Sequence, residues 1–134
     1  MKIKNVLVTG ASGKIGRSLV PALVLDGFRV RVTQFRTPVR YSGATTVKGS
    51  LADPKFVQRA MKGIDAVCHL ATSKEDRDGV IDLSMRGTFH LLEQARARGF
   101  DVPDGRDGIL PGTRVASIAA NQLSGLTLQL LEYI

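Results

Sequence analysis

The sequence predicts a doubly wound α/β domain, in which a parallel sheet of four or five strands carries helices on both faces. Three observations lead there. Short apolar runs alternate with segments of helical periodicity through the first hundred residues. A glycine-rich turn joins the first run directly to the first helix. A chain of 134 residues is one domain by length, large enough for a core without disulfides or metals.

In order, Ile3 to Thr9 reads as a buried strand, followed by a helix over Lys14 to Leu25 with Ile15, Leu19 and Leu23 on one face. Pro21 lies inside that helix and removes one backbone hydrogen bond. Asp26-Gly27 closes it, and Phe28 to Thr33 is the second strand. Thr37 to Gly43 is loop, and Thr45 to Lys48 is a short third strand. Asp53-Pro54 starts the next helix: Asp53 can accept from the free first-turn N–H groups, and Pro54 lacks an N–H where none is needed. That helix ends near Met61, and Ala66 to Leu70 is the fourth strand. A helix from Val80 to Arg98 follows, with Gly99 at its stop. Such alternation implies right-handed crossovers and a parallel sheet with helices on both faces, and four strands in the order 3-2-1-4 would leave the fourth at an edge. Residues 1–100 form one unit. Residues 101–134 are a divergent tail, turn-rich and then helical by the spacing of Val115, Ile118, Leu123, Leu126 and Leu130, packing on the same domain. The apolar fourth strand would otherwise be a bare edge inviting a second copy of the chain. Residues 113–134, or a second subunit, are expected to cover it.

Composition narrows the partners. Residues 1–62 hold 12 Lys/Arg against Asp26 and Asp53, whereas residues 63–134 hold 7 Lys/Arg against 10 Asp/Glu. A basic first half suits an anionic ligand such as a nucleotide phosphate, or is simply a solvated surface. With no Trp, two Tyr and five Phe there is no base-stacking platform, so nucleic acid is not expected. The N-terminal run is too short for a signal peptide or a membrane span, and the single cysteine, Cys68, fits a reducing compartment, so the expected location is the cytoplasm. His69 and His90 lack a paired acid or cysteine at ligand spacing, so no metal site is predicted. Cys68 reads as a small buried residue.

The segment Val6 to Val20, "VLVTGASGKIGRSLV", carries the functional signal. Gly10 allows a sharp turn off the strand, Gly13 admits a pyrophosphate to the backbone, and Gly16 allows close packing of the helix. The helix N-terminus beyond them offers unpaired N–H donors and partial positive charge to phosphates. A tight turn with no ligand is the alternative. This is a Rossmann-like arrangement, and "VLVTGASGKIG" resembles the opening of the short-chain dehydrogenase/reductase superfamily, closest to its NAD-dependent epimerase/dehydratase branch. "GSLADP" (Gly49–Pro54), "GIDAVCHLAT" (Gly63–Thr72) and "GTFHLLEQARARG" (Gly87–Gly99) are similar to its adenine-side segment, fourth strand and following helix. The resemblance implies NAD(P) binding by Gly10, Ser12, Gly13, Lys14, Ile15, Gly16, Gln34, Arg36, Ser50, Leu51, Leu70, Ala71 and Thr72. It also implies hydride transfer on a sugar nucleotide or small carbonyl compound.

The departures from the family matter as much. NAD users carry a carboxylate at the end of the second strand for the ribose hydroxyls; Gln34 stands there, with Arg36 two residues on. Loss of the acid beside a phosphate-pairing guanidinium favours NADP over NAD. Arg36 pointing to solvent is the plain alternative. Ser50 replaces the adenine-side acid, and Ser84 stands where the family commonly has asparagine. The family's Tyr-x-x-x-Lys pair is missing: Tyr41 has Thr45 four residues on, and Tyr133 is one residue from the end. "RVASIAA" (Arg114–Ala120) makes Ser117 a counterpart of the family's catalytic serine, although a polar residue or cap in a helix is the simpler reading. Three accounts follow: an oxidoreductase-type enzyme in truncated form, a non-catalytic NAD(P)-binding or sensor module, and a tail altered by a frame change.

Overall fold

The computed structural model describes residues 3–71 and 86–100, together with the backbone of Val115–Ser117. These residues build β1 (Asn5–Thr9), α1 (Lys14–Leu25), β2 (Arg29–Gln34), β3 (Ala44–Lys48), α2 (Pro54–Ala60), β4 (Ala66–His69), α3 (Thr88–Ala97) and β5 (Val115–Ser117). The strands form one sheet in the order β3-β2-β1-β4-β5. Every neighbouring pair is parallel. This is the doubly wound order expected from the sequence, with a fifth strand added beyond β4.

Side chains alternate across the sheet, as strand geometry requires. Val6, Val8, Val30, Val32, Ala66 and Cys68 face α1 and pack on Leu19, Val20 and Leu23. Leu7 and Val67 point the other way, into a core with Phe56, Val57, Met61, Leu91 and Ala95 of the α2–α3 side. The central strands are apolar on both faces because helices cover both. Burial holds the Cys68 thiol up at about 12, so it is a neutral core residue.

Polar groups fix the ends of the elements. Asp65 sits just before β4 and accepts from the N–H groups of Lys4 and Asn5 at 3.0 and 2.9 Å, holding the start of β1. Asp53 caps α2 as its sequence predicts, accepting from Lys55 N–H at 3.0 Å beside Pro54. Arg31 on β2 donates to the carbonyls of Ala60 and Lys62 at 2.7 and 2.8 Å, placing a cation at the negative end of α2. Pro21 is within α1 on its exposed side, where water can meet the freed carbonyl.

One expectation changes and another is met. Val115–Ser117 is a strand paired with β4, not part of a helix. The helical spacing of the tail is a weak preference there, and the unpaired backbone groups of an apolar β4 outweigh it. The same pairing makes β4 an interior strand, so its edge is covered by part of residues 113–134, one of the two covers expected from the sequence. The rest of the tail, and residues 72–85 with Ser84, lie outside the described residues.

Candidate dinucleotide site

The site forms where β1, β2, β3 and β4 end, at the carboxyl edge of the sheet. A parallel sheet with helices on both faces opens a crevice there. The turn after β1 is its floor. Gly10 has φ of +70°, the left-handed region that glycine enters without strain. A Cβ on Gly10 would also lie 2.5 Å from the Leu70 carbonyl carbon and the Ala71 nitrogen, so the turn presses on the end of β4 with no side chain between. Gly16 is buried, and a Cβ there would lie 2.6 Å from the Cα of Ala11. Its role is therefore to seat α1 on the backbone of the turn itself.

Gly13 differs from both. A Cβ there would meet only the Gly10 carbonyl oxygen, at 3.4 Å, and the residue is exposed. It is the N-cap of α1, with no side chain to accept from the helix and no acid in the first turn. The first N–H groups of α1, at Lys14, Ile15 and Gly16, thus have no side-chain cap. An open space beside uncapped donors and the positive end of a helix is what a pyrophosphate requires. These residues fit the pyrophosphate of a dinucleotide.

The walls are braced by hydrogen bonds. Thr9 and His69 stand opposite one another in β1 and β4. The Thr9 hydroxyl accepts from Leu70 and Ala71 N–H at 3.2 Å each. With its oxygen so occupied, it donates its proton to His69 Nδ1 at 2.6 Å. His69 Nε2–H then donates to Thr88 Oγ1 of α3 at 2.7 Å. Burial lowers the His69 pKa to about 4, so the ring is neutral. This chain joins β1, β4 and α3 under the crevice. His69 is a brace, and its partners could not be read from spacing alone.

On the β2 side, Gln34 ends its strand beside the crevice. Its Oε1 accepts from Val39 N–H at 2.9 Å, and its backbone carbonyl accepts from Gly49 N–H at 2.9 Å. Arg36 is exposed, with its guanidinium 5.2 Å from the centre of the exposed Phe35 ring. The solvent-facing alternative for Arg36 therefore describes it here. Tyr41 reaches back across the loop and donates its hydroxyl to the Ala11 carbonyl in the glycine turn. No sequence signal announced that contact between residues 30 positions apart.

The adenine-side pair is occupied locally. Ser50 Oγ accepts from Ala52 N–H at 3.1 Å, and Leu51 is buried in the α2–α3 core. Leu70 and Ala71 meet the glycine turn directly. Thr72 lies outside the described residues. The backbone of Ser117 stands opposite His69 across β4 and β5, next to this edge. Among the described residues no three His, Cys, Asp or Glu side chains gather as a metal site. No helix among them is long and apolar enough to cross a membrane.

Comparison with known proteins agrees with this geometry. The family model described as NAD dependent epimerase/dehydratase matches residues 6–103. A ceramide reductase from Caulobacter vibrioides is 37% identical over 100 residues, covering 70% of this chain and 32% of that protein. A 2-alkyl-3-oxoalkanoate reductase from Shewanella oneidensis is 30% identical over 103 residues, covering 72% of this chain and 26% of that protein. Among solved structures, a uronate dehydrogenase from Agrobacterium tumefaciens complexed with NAD superposes with a TM-score of 0.64 at 27% identity, over 73% of this chain and 38% of that one. The chain thus spans about a third of the length of the curated relatives it matches.

Proposed function

Because the chain belongs to the NAD-dependent epimerase/dehydratase family, we propose that residues 3–100 are the dinucleotide-binding part of an NAD(P)-dependent oxidoreductase-type protein. The observation that carries this is the open, uncapped N-terminus of α1 over Gly13, in a turn whose other two glycines are held by backbone contacts. The Lys14, Ile15 and Gly16 N–H groups bind the phosphates. Gln34 and Arg36 border the ribose, and Leu70 and Ala71 form the inner wall, with Ser12, Ser50, Leu51 and Thr72 completing the site. When bound, NAD(P) supplies the hydride donor or acceptor. The protein residues bind it, orient it and hold the crevice in shape.

The finer reading is a preference for NADP. The residue at the end of β2 is a neutral amide whose oxygen is already engaged by Val39, so no carboxylate stands there to accept from the ribose or to repel a 2′-phosphate. Arg36 is exposed two residues on and free of the core, in reach of solvent-borne phosphate. The substrate class is a sugar nucleotide or a small carbonyl compound. That reading draws on relatives whose names are those of a uronate dehydrogenase, a ceramide reductase and an oxoalkanoate reductase. A reducing, cytoplasmic setting suits the lone buried thiol.

A second reading, binding without catalysis by this chain, is favoured by Tyr41. It is the only tyrosine before Tyr133, and its hydroxyl is engaged by Ala11, so it is not poised to move a substrate proton. Calorimetric titration with NADPH and NADH, followed by a turnover assay on carbonyl substrates, separates the readings. Tighter binding of NADPH is expected; failure to bind either dinucleotide overturns the proposal. Binding without turnover supports the second reading.

A further inference from the structure

The loop between β2 and β3 does more than connect two strands. At its middle, Val39 N–H is held by Gln34 Oε1 at 2.9 Å, and the Val39 carbonyl accepts from Thr46 Oγ1 at 3.0 Å. The Val39 side chain is buried in the α1 core. At its far end, Ala44 N–H donates to the Tyr41 carbonyl at 3.2 Å, and the Tyr41 ring packs against the same core. The loop is therefore anchored at its middle and at its far end, and Tyr41 projects from it onto the glycine turn.

We propose that Tyr41 is a positioning residue for the dinucleotide site, locking the Ala11–Ser12 peptide so that the phosphate turn and the ribose-side loop behave as one braced unit. This inference rests on the dinucleotide reading above. The Tyr41 hydroxyl donates to the Ala11 carbonyl. A trans peptide is planar, with its N–H opposite its C=O, so fixing that carbonyl also fixes the direction of the Ser12 N–H in the glycine turn. Ala11 is fully buried and is the surface on which Gly16 seats α1. One hydroxyl thus holds the peptide that both shapes the turn and supports the first helical donors. The same loop is held at Val39 by Gln34, so the end of β2 beside the proposed ribose site is linked through the loop and Tyr41 to the glycine turn.

Tyr41→Phe removes the hydroxyl and keeps the ring packing. It is compared with Ile64→Val, which trims a buried side chain of the α2–α3 core away from the crevice. Loss of one hydrogen bond and of one buried methyl group cost similar stability. Calorimetric titration is run with NADPH and NADH on all three proteins at a temperature where each is folded. The expected result is a dissociation constant roughly three- to tenfold higher for Tyr41→Phe and unchanged for Ile64→Val. Wild-type affinity in Tyr41→Phe, or an equal loss in Ile64→Val, overturns the assignment while leaving the dinucleotide reading intact. If the wild-type chain binds neither dinucleotide, both fall.

Discussion

Substitution of Gly13 by valine separates a ligand site from a structural turn. The backbone at Gly13 has φ −78° and ψ 178°, extended values that valine adopts readily. Its Cβ meets one atom, the Gly10 carbonyl oxygen at 3.4 Å, which is ordinary contact. Replacing glycine at an N-cap costs about 0.5–1 kcal/mol of helix stability. The narrower unfolded ensemble of the larger residue offsets roughly 0.4–1 kcal/mol of that. Folding stability should therefore change by less than about 1 kcal/mol. Gly16→Ala is the contrast: its Cβ falls 2.6 to 2.8 Å from three backbone atoms of Ala11, so backbone must move, at a cost of about 1–3 kcal/mol. Urea denaturation measures the stabilities, and calorimetric titration with NADPH and NADH measures binding. Gly13→Val should fold like the wild type and lose at least tenfold in affinity, because its methyl groups fill the space over the uncapped N–H donors. Wild-type affinity in Gly13→Val would refute phosphate binding over this residue. A loss of stability as large as that of Gly16→Ala would refute the reading of Gly13 as open.

Three other outcomes are expected. His69 is held neutral with a folded pKa of about 4, below its unfolded value, so the unfolded chain takes up the extra proton as pH falls. Stability is fully present above about pH 6.5 and declines towards pH 4, by about 3 kcal/mol in all, and His69→Gln should flatten that slope in urea titrations across the window. Arg36→Ala should weaken NADPH about tenfold and NADH less than about twofold in parallel titrations, because only the 2′-phosphate needs the guanidinium. Arg31→Met should lower stability by about 1–3 kcal/mol in urea without altering dinucleotide affinity, since it leaves the Ala60 and Lys62 carbonyls without their charged donor.

The parts legible in the sequence are those set by neighbours along the chain. β1, the glycine turn and α1 follow one another within 21 residues, and Asp53 with Pro54 makes a cap from adjacent positions. The parts that were not legible depend on contacts across the sheet. Gln34 occupies the position expected, yet its oxygen is engaged by Val39, which only the path of the loop decides. Gly16 was expected to allow close packing of α1, and only the fold reveals that the backbone it meets is Ala11 of the turn. Val115–Ser117 has helical spacing around it but is drawn into the sheet by β4. Thr88 sits in an unremarkable stretch of helix, and its link to His69 spans 19 residues.

The two-sided burial of β1 also bears on how the strand is aligned. Val6, Leu7 and Val8 are fully buried and apolar, so a slip by one residue exchanges one apolar face for another and meets little hydrophobic penalty. Alignment must then come from polar groups at the strand's ends. Asp65 grips the Lys4 and Asn5 N–H groups at the entry, and Thr9 grips His69 and the two amides beyond it at the exit. A slipped strand would bury Thr9 away from the ring and leave the Asp65 carboxylate facing a different pair of amides. The hydroxyl beneath the crevice is thus an alignment pin for the whole sheet, and the crevice inherits its shape from the group that keeps the strands in step.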